Sequence, residues 1–282
     1  MFIRNLIWII LLVHIPFLGV AKEHLLEKKK IYVYKDEGVS KSRLAIKNFL
    51  IFSQSKYDIE DITAKEIIEG HWKKTAVCLI IPGGADIPYC KKLNGRGNQL
   101  IREFVENGGV YIGICAGGYY ASSYIEFDKG GSLEVVGERE LKFYPERMIG
   151  PLLASYRYNS EEGARIAHLK FETGKLKGQR ARVYFNGGGY FKNSEKLKNV
   201  KVIATYQNKG FKNKPAIVEC KIGKGKAILT GVHPEISSEY LEMGVEKEEE
   251  ILDKKFDYNS LIFSLNDRSH MVIAKYIFEE SF

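Results

Sequence analysis

The chain has 282 residues, with 43 Lys+Arg against 35 Asp+Glu and a formal charge of +8. Hydrophobic residues make up 45% and charged residues 28%, which excludes a disordered chain and suits one large or two small globular domains. The basic residues are interleaved with acidic and polar ones, as in KKLNGRGNQLIRE and KNSEKLKNVK. The excess therefore reads as a solvated basic surface, and no nucleic-acid partner is expected.

Residues 1–21, MFIRNLIWIILLVHIPFLGVA, carry one charge, Arg4, then an apolar run that ends in the small residues Gly19 and Ala21. That is the layout of a signal peptide, and it implies a secreted or periplasmic product. An uncleaved membrane anchor is the second reading. The uncharged run from Asn5 to Ala21 is 17 residues long, at the lower limit for spanning a bilayer, and Pro16 interrupts it. Membrane contact is expected only if this segment stays attached. Residues 22–282 show no repeat, no low-complexity segment and no linker, and they predict a single domain.

From residue 30 the pattern alternates. KIYVYKDE (30–37) predicts a strand, and SKSRLAIKNFLIF (40–52) a helix with Ser40 as its N-cap. YDIEDIT (57–63) predicts a second strand, followed by a helical AKEIIEGHWKK (64–74). AVCLIIPGG (76–84) is too apolar for a half-exposed strand and predicts a central parallel one. NQLIREFVENGG (98–109) is an amphipathic helix closed by glycine. VYIGICAGG (110–118) is another apolar strand that runs into a turn, and ASSYIEF (121–127) is expected to continue as a short helix. Strands that alternate with helices imply a parallel sheet covered on both faces, with ligands at the strand C-terminal ends.

After residue 127 the texture changes. SLEVVGERELKFYP, ARIAHLKFE, ARVYFNGGGYF and VKVIATYQ are strand-like with little helix between them. PAIVECKIGKGKAILTGVHPE (215–235) predicts two strands around Gly223-Lys224-Gly225, a hairpin signal. An acidic EKEEEILDKK (246–255) is expected as a loop or fraying helix, and residues 258–280 as one C-terminal helix. The predicted fold class is α/β, a mostly parallel sheet with an antiparallel annex.

The four cysteines, Cys78, Cys90, Cys115 and Cys220, form no CxxC pair, so neither a metal nor a redox cofactor is expected. Cys78 and Cys220 fall in strand-like runs and read as buried fillers. Cys90 is expected in a loop, free or bridged. Cys115 differs, because it sits in GICAGG at a strand-to-helix turn. Small neighbours let the backbone turn sharply there. The following helix N-terminus offers free N–H groups that would activate a thiol, and the Ala116 N–H would face an oxyanion. A second donor would come from Gly83-Gly84 at the neighbouring strand end. Of six histidines, His233 follows a strand end in GVHPE, with Glu235 two residues on to orient its ring. Asn186, ahead of three glycines, is either a residue that a substrate approaches or part of a plain turn.

GICAGG together with GVHPE resembles the class I glutamine amidotransferase-like domains, which use a Cys-His-Glu triad. IPGGADIPYCKKLNGRGNQLIREFVENGGVYIGICAGGYYASSYIEF (81–127) resembles more closely the N-terminal domain of eukaryotic-type biotin protein ligases, a domain that also occurs alone. The likeness continues through LEVVGERELKFYP, IGP, EEGAR and YFNGGGYF to HPE. It implies a flavodoxin-like three-layer sandwich, with Cys115 as nucleophile, His233 and Glu235 as its partners, and the PGG turn as oxyanion loop. It does not imply biotin transfer. The expected function is an exported cysteine hydrolase of amidase type acting on a small amide or peptide. The alternative is a non-catalytic module that binds a small ligand or partner. The sequence leaves the oligomeric state open.

Overall fold

The computed structural model describes residues 28–158, 160–246, 258–265 and 268–278. The expected signal segment and most of the acidic stretch 246–255 lie outside them. Among the described residues no helix is long and apolar enough to cross a membrane.

The first half alternates as the sequence predicts: β1 (Lys30–Tyr34), α1 (Ser42–Phe52), β2 (Asp58–Ile62), α2 (Ala64–Glu69), β3 (Ala76–Ile81), α3 (Asp86–Leu93), α4 (Arg96–Glu106), β4 (Val110–Ile114) and α5 (Ala116–Tyr120). Strands then dominate: β5 (Ser122–Phe127), β6 (Val135–Glu138), β7 (Tyr144–Gly150), β8 (Arg165–Phe171), β9 (Arg180–Phe185), β10 (Tyr190–Phe191), β11 (Val200–Tyr206), β12 (Pro215–Ile222) and β13 (Gly225–Thr230). Three helices follow, α6 (Ser238–Glu246), α7 (Tyr258–Leu265) and α8 (His270–Phe278).

Nine strands form one sheet in the order β2-β1-β3-β4-β13-β12-β11-β8-β9. The pairings from β2 to β13 are parallel, and those from β13 to β9 are antiparallel. The expected mostly parallel sheet is therefore a mixed one, divided evenly. The predicted hairpin at Gly223-Lys224 causes this, because it lays β13 directly on β4 and carries the antiparallel strands on from there. A second, four-stranded sheet has the order β10-β7-β5-β6, with β5 and β7 parallel and its other pairings antiparallel.

Alternate residues of the central strands feed two cores. Ile31 and Val33 of β1, Cys78 and Ile80 of β3, and Ile112 and Ile114 of β4 pack with α1 and α8. Tyr32, Tyr34, Leu79, Ile81 and Tyr111 pack on the other face with α2, α3, α4 and the second sheet. Both faces are covered, which explains why these strands read as continuous apolar runs.

Four local expectations are corrected. Residues 122–127 form a strand and not a helix. The Ser122 hydroxyl bonds Gly118 O at 2.9 Å as the short α5 ends, and the segment pairs with β6 and β7. Cys90 lies within α3, whose Pro88 falls in the first turn, where a missing N–H costs nothing. The cap position of α1 is held by Lys41, while Ser40 Oγ accepts from Ser42 N–H at 3.3 Å and donates to Gly83 O at 2.9 Å. The C-terminal region forms two helices, with a positive φ at Arg268 ahead of the second. All four cysteines are free thiols, and Cys78 and Cys220 are buried as expected.

Candidate active site

Cys115 follows directly on β4, and Thr230 ends β13. These strands are parallel neighbours, with Ile114 opposite Thr230 and the Cys115 N–H bonded to Thr230 O at 2.8 Å. That pairing brings together residues 116 positions apart in the chain. Beyond Thr230 the chain crosses to β9, where His233 N–H bonds Tyr184 O at 2.9 Å. Cys115, His233 and Glu235 therefore meet, as the sequence predicts.

The positive φ, +49°, belongs to Cys115 itself. The flanking glycines serve close approach. A Cβ at Gly113 would sit 2.4 Å from Gly117 O, and one at Gly117 would sit 2.1 Å from Ile81 O. A cysteine in this backbone region is strained. Holding it there is the work of β4, β13 and the packed α5.

His233 Nδ1 and Glu235 Oε1 are 2.8 Å apart, and Cys115 lies near enough to bear on the charge of the ring. Burial alone would push the ring's pKa down. The Glu235 carboxylate and the Cys115 sulfur overcome this and raise it from 6.5 to about 10, so the imidazole holds its proton at neutral pH. Glu235 Oε1 also accepts from Ser42 Oγ at 2.6 Å, and Ser42 Oγ accepts the Gly83 N–H at 3.0 Å. The relay is thus Gly83, Ser42, Glu235, His233, Cys115.

This corrects the part expected of Gly83. Its N–H is committed to Ser42 and is not free for an oxyanion. Its missing side chain matters instead, because a Cβ there would lie 2.6 Å from His233 Cε1. Gly84, at φ +148°, and Ala116, in the first turn of α5, both line the cavity. First-turn N–H groups have no intrahelical acceptor, so the Ala116 N–H suits the expected role.

The cavity measures about 690 Å³, of the size that holds a small organic ligand. Asn186 also lines it. Its carbonyl oxygen accepts the Cys115 thiol at 3.7 Å, and its Nδ2 donates to Ser160 O at 3.1 Å. Of the three glycines after Asn186, Gly187 lines the cavity beside Tyr156, while Gly188 and Gly189 pack against other backbone segments. A Cβ at Gly188 would lie 1.8 Å from Gly231 O, so they let two backbones touch just ahead of His233.

Other lining residues were not singled out in the sequence. Glu161 is ion-paired with Lys41 and accepts from the Tyr184 hydroxyl. Its signal was present in EEGAR, which carries part of the family likeness. Ser42 looks like any serine at a helix start, and Tyr156 and Tyr158 come from an irregular loop. Among the described residues no cluster of three or more His, Cys, Asp or Glu forms a metal site.

Comparison with known proteins adds the following. The family described as biotin-protein ligase, N terminal, matches residues 29–274. The chain is 38% identical over 212 residues to the biotin–protein ligase of Schizosaccharomyces pombe, covering 74% of this chain and 34% of the ligase. It thus spans about a third of that enzyme's length. It is 35% identical over 219 residues to an uncharacterized protein of Chlamydia muridarum, covering 75% of this chain and 82% of that one. Among solved structures, a ThuA-like protein from Bacteroides uniformis superposes with a TM-score of 0.48 at 9% identity, over 76% of this chain and 85% of that one.

Proposed function

Because the chain belongs to the biotin-protein ligase N-terminal family, we propose a function for the cavity of this domain itself and assign it no biotin transfer. The reading is a Cys-His-Glu hydrolase of amidase type acting on a small amide or peptide. The observation that carries it is Cys115 and His233 side by side on the wall of a ligand-sized cavity, with the Glu235 carboxylate 2.8 Å behind the ring.

In this reading Cys115 attacks the amide carbonyl as the thiolate of an ion pair with the protonated His233 ring, and the N–H groups of Gly84 and Ala116 receive the developing oxyanion. His233 gives its proton to the leaving amine, and a thioester remains on Cys115. His233 then takes a proton from water, whose oxygen attacks the thioester and releases the carboxylic acid. Glu235 keeps the ring oriented throughout and balances its charge, and Ser42 holds Glu235. A class I glutamine amidotransferase-like architecture belongs to the same reading, since it places a nucleophile after one parallel strand and His-x-Glu after its neighbour.

The test is a screen of amides and peptides with the wild type and Cys115→Ala. Turnover by the wild type alone is the expected result, and equal background rates from both would end the reading. One observation favours a non-catalytic binding module. Cys115 is only 6% exposed, and its thiol already donates to Asn186 O. Iodoacetamide labelling separates the two, since an activated thiol reacts faster than free cysteine near neutral pH. Residues 1–21 are proposed to direct export, and a reporter fused behind them that stays in the cytoplasm would refute this.

A further inference from the structure

The cavity beside Cys115 has two unlike sides. One is polar, and its carboxylates are already matched. The two carboxylates that line it are Asp86 and Glu161. Asp86 accepts from Arg139 Nε at 2.6 Å, and Glu161 is held by Lys41 and the Tyr184 hydroxyl. A cationic substrate would have to break one of these pairs to find an acid.

The other side is aromatic and continuous. Tyr119 meets Phe127 edge-on with centroids 5.7 Å apart, Phe127 meets Tyr156 at 5.6 Å, and Tyr156 meets Tyr158 at 5.1 Å. Ile125 and Val135 extend the same wall. It lines the same cavity as the nucleophile Cys115. Tyr158 remains 43% exposed at the mouth, an aromatic face with nothing packed over much of it. Edge-on aromatic contacts leave ring faces open to a further ring or a branched aliphatic group.

We infer that the group flanking the scissile carbonyl of the substrate carries no positive charge and is either aromatic or large and apolar, and that Tyr156 and Tyr158 select it. The inference rests on the amidase reading and narrows its substrate class. The wall supplies apolar contact, the matched ion pairs supply no unpaired acid, and the loop between β7 and β8 that carries both tyrosines sets the selectivity.

The test uses N-acetyl amides of phenylalanine, alanine and lysine, so that ammonia is the leaving group in each. The phenylalanine amide is expected to show kcat/KM at least about tenfold above the alanine amide, with the lysine amide lowest. Tyr158→Ala and Tyr156→Ala should each narrow the phenylalanine-to-alanine ratio. The same three compounds are titrated calorimetrically into Cys115→Ala, or Cys115→Ser if the alanine variant does not fold. Tighter binding of the phenylalanine amide supports the wall's role even if no amide is hydrolysed, in which case the amidase reading alone fails. Equal binding of phenylalanine and alanine amides, tightest binding of the lysine amide, or a ratio unchanged in both tyrosine variants overturns the inference.

Discussion

Ser42 Oγ stands between a backbone donor and a buried carboxylate, with Gly83 N–H at 3.0 Å and Glu235 Oε1 at 2.6 Å. Alanine there strands a buried N–H at a cost of about 1–3 kcal/mol and frees Glu235 to turn. Ser42→Ala is expected to lose stability of that order in urea denaturation and to slow Cys115 alkylation; an unaltered alkylation rate would deny it a positioning role. Gly83→Ala puts a methyl group 2.6 Å from His233 Cε1. The variant should fold, with unchanged far-UV circular dichroism, and lose amide hydrolysis. The His233 proton also sets a pH dependence. Its folded pKa, about 10, lies above the ordinary 6.5. The protonated ring therefore contributes stability that is fully present below pH 6.5 and lost as pH rises through about 10. Wild-type stability should fall over that window more steeply than that of His233→Gln, and parallel curves would contradict the ion pair.

At the scale of elements, α2 shows what capping contributes away from the site. Thr63 Oγ1 accepts the Glu66 N–H at 3.3 Å, and Glu66 Oε2 accepts the Thr63 N–H at 2.7 Å, a reciprocal capping box. Thr63→Ala should cost about 0.5–2 kcal/mol in chemical denaturation and leave Cys115 alkylation unchanged. The elements also show how far the sequence could be read. The strands β3 and β4 were legible because burial on both faces makes them unbroken apolar runs, and GICAGG and GVHPE announced themselves by composition. Residues 122–127 were misread because their register is set by β6 and β7, long-range partners that leave no local trace. Ser42 was invisible for the same reason. Its role depends on Glu235, 193 residues away. The glycines of NGGG were noticed, but only packing reveals that Gly188 lies against Gly231.

That contact operates on the whole molecule. Gly188 and Gly189 press on Gly231, and the Tyr206 hydroxyl donates to both Gly189 O and Gly231 O, at 2.9 and 3.1 Å. The segment joining the nine-stranded sheet to the four-stranded one is thereby clasped to the backbone that carries His233. Gly188→Ala, with its Cβ 1.8 Å from Gly231 O, must push the two apart. Overpacking of this kind costs about 1–3 kcal/mol, and the variant should lower both the thermal midpoint and Cys115 reactivity. Wild-type behaviour in both would show that the clasp is dispensable.

β13 lies at the seam between the parallel and antiparallel halves of the sheet. It pairs with β12 across a two-residue turn and with β4 across more than a hundred residues. During synthesis β4 can dock on β3 early, but its other edge stays bare until residues 225–230 have emerged. Until then Val110–Ile114 is an unpaired apolar edge, the kind of surface that recruits other chains, and Cys115 has no imidazole beside it. The late hairpin closes that edge and brings His233 to Cys115 in one step. A ribosome stalled before Gly225 would hold a sticky half-sheet with an idle thiol.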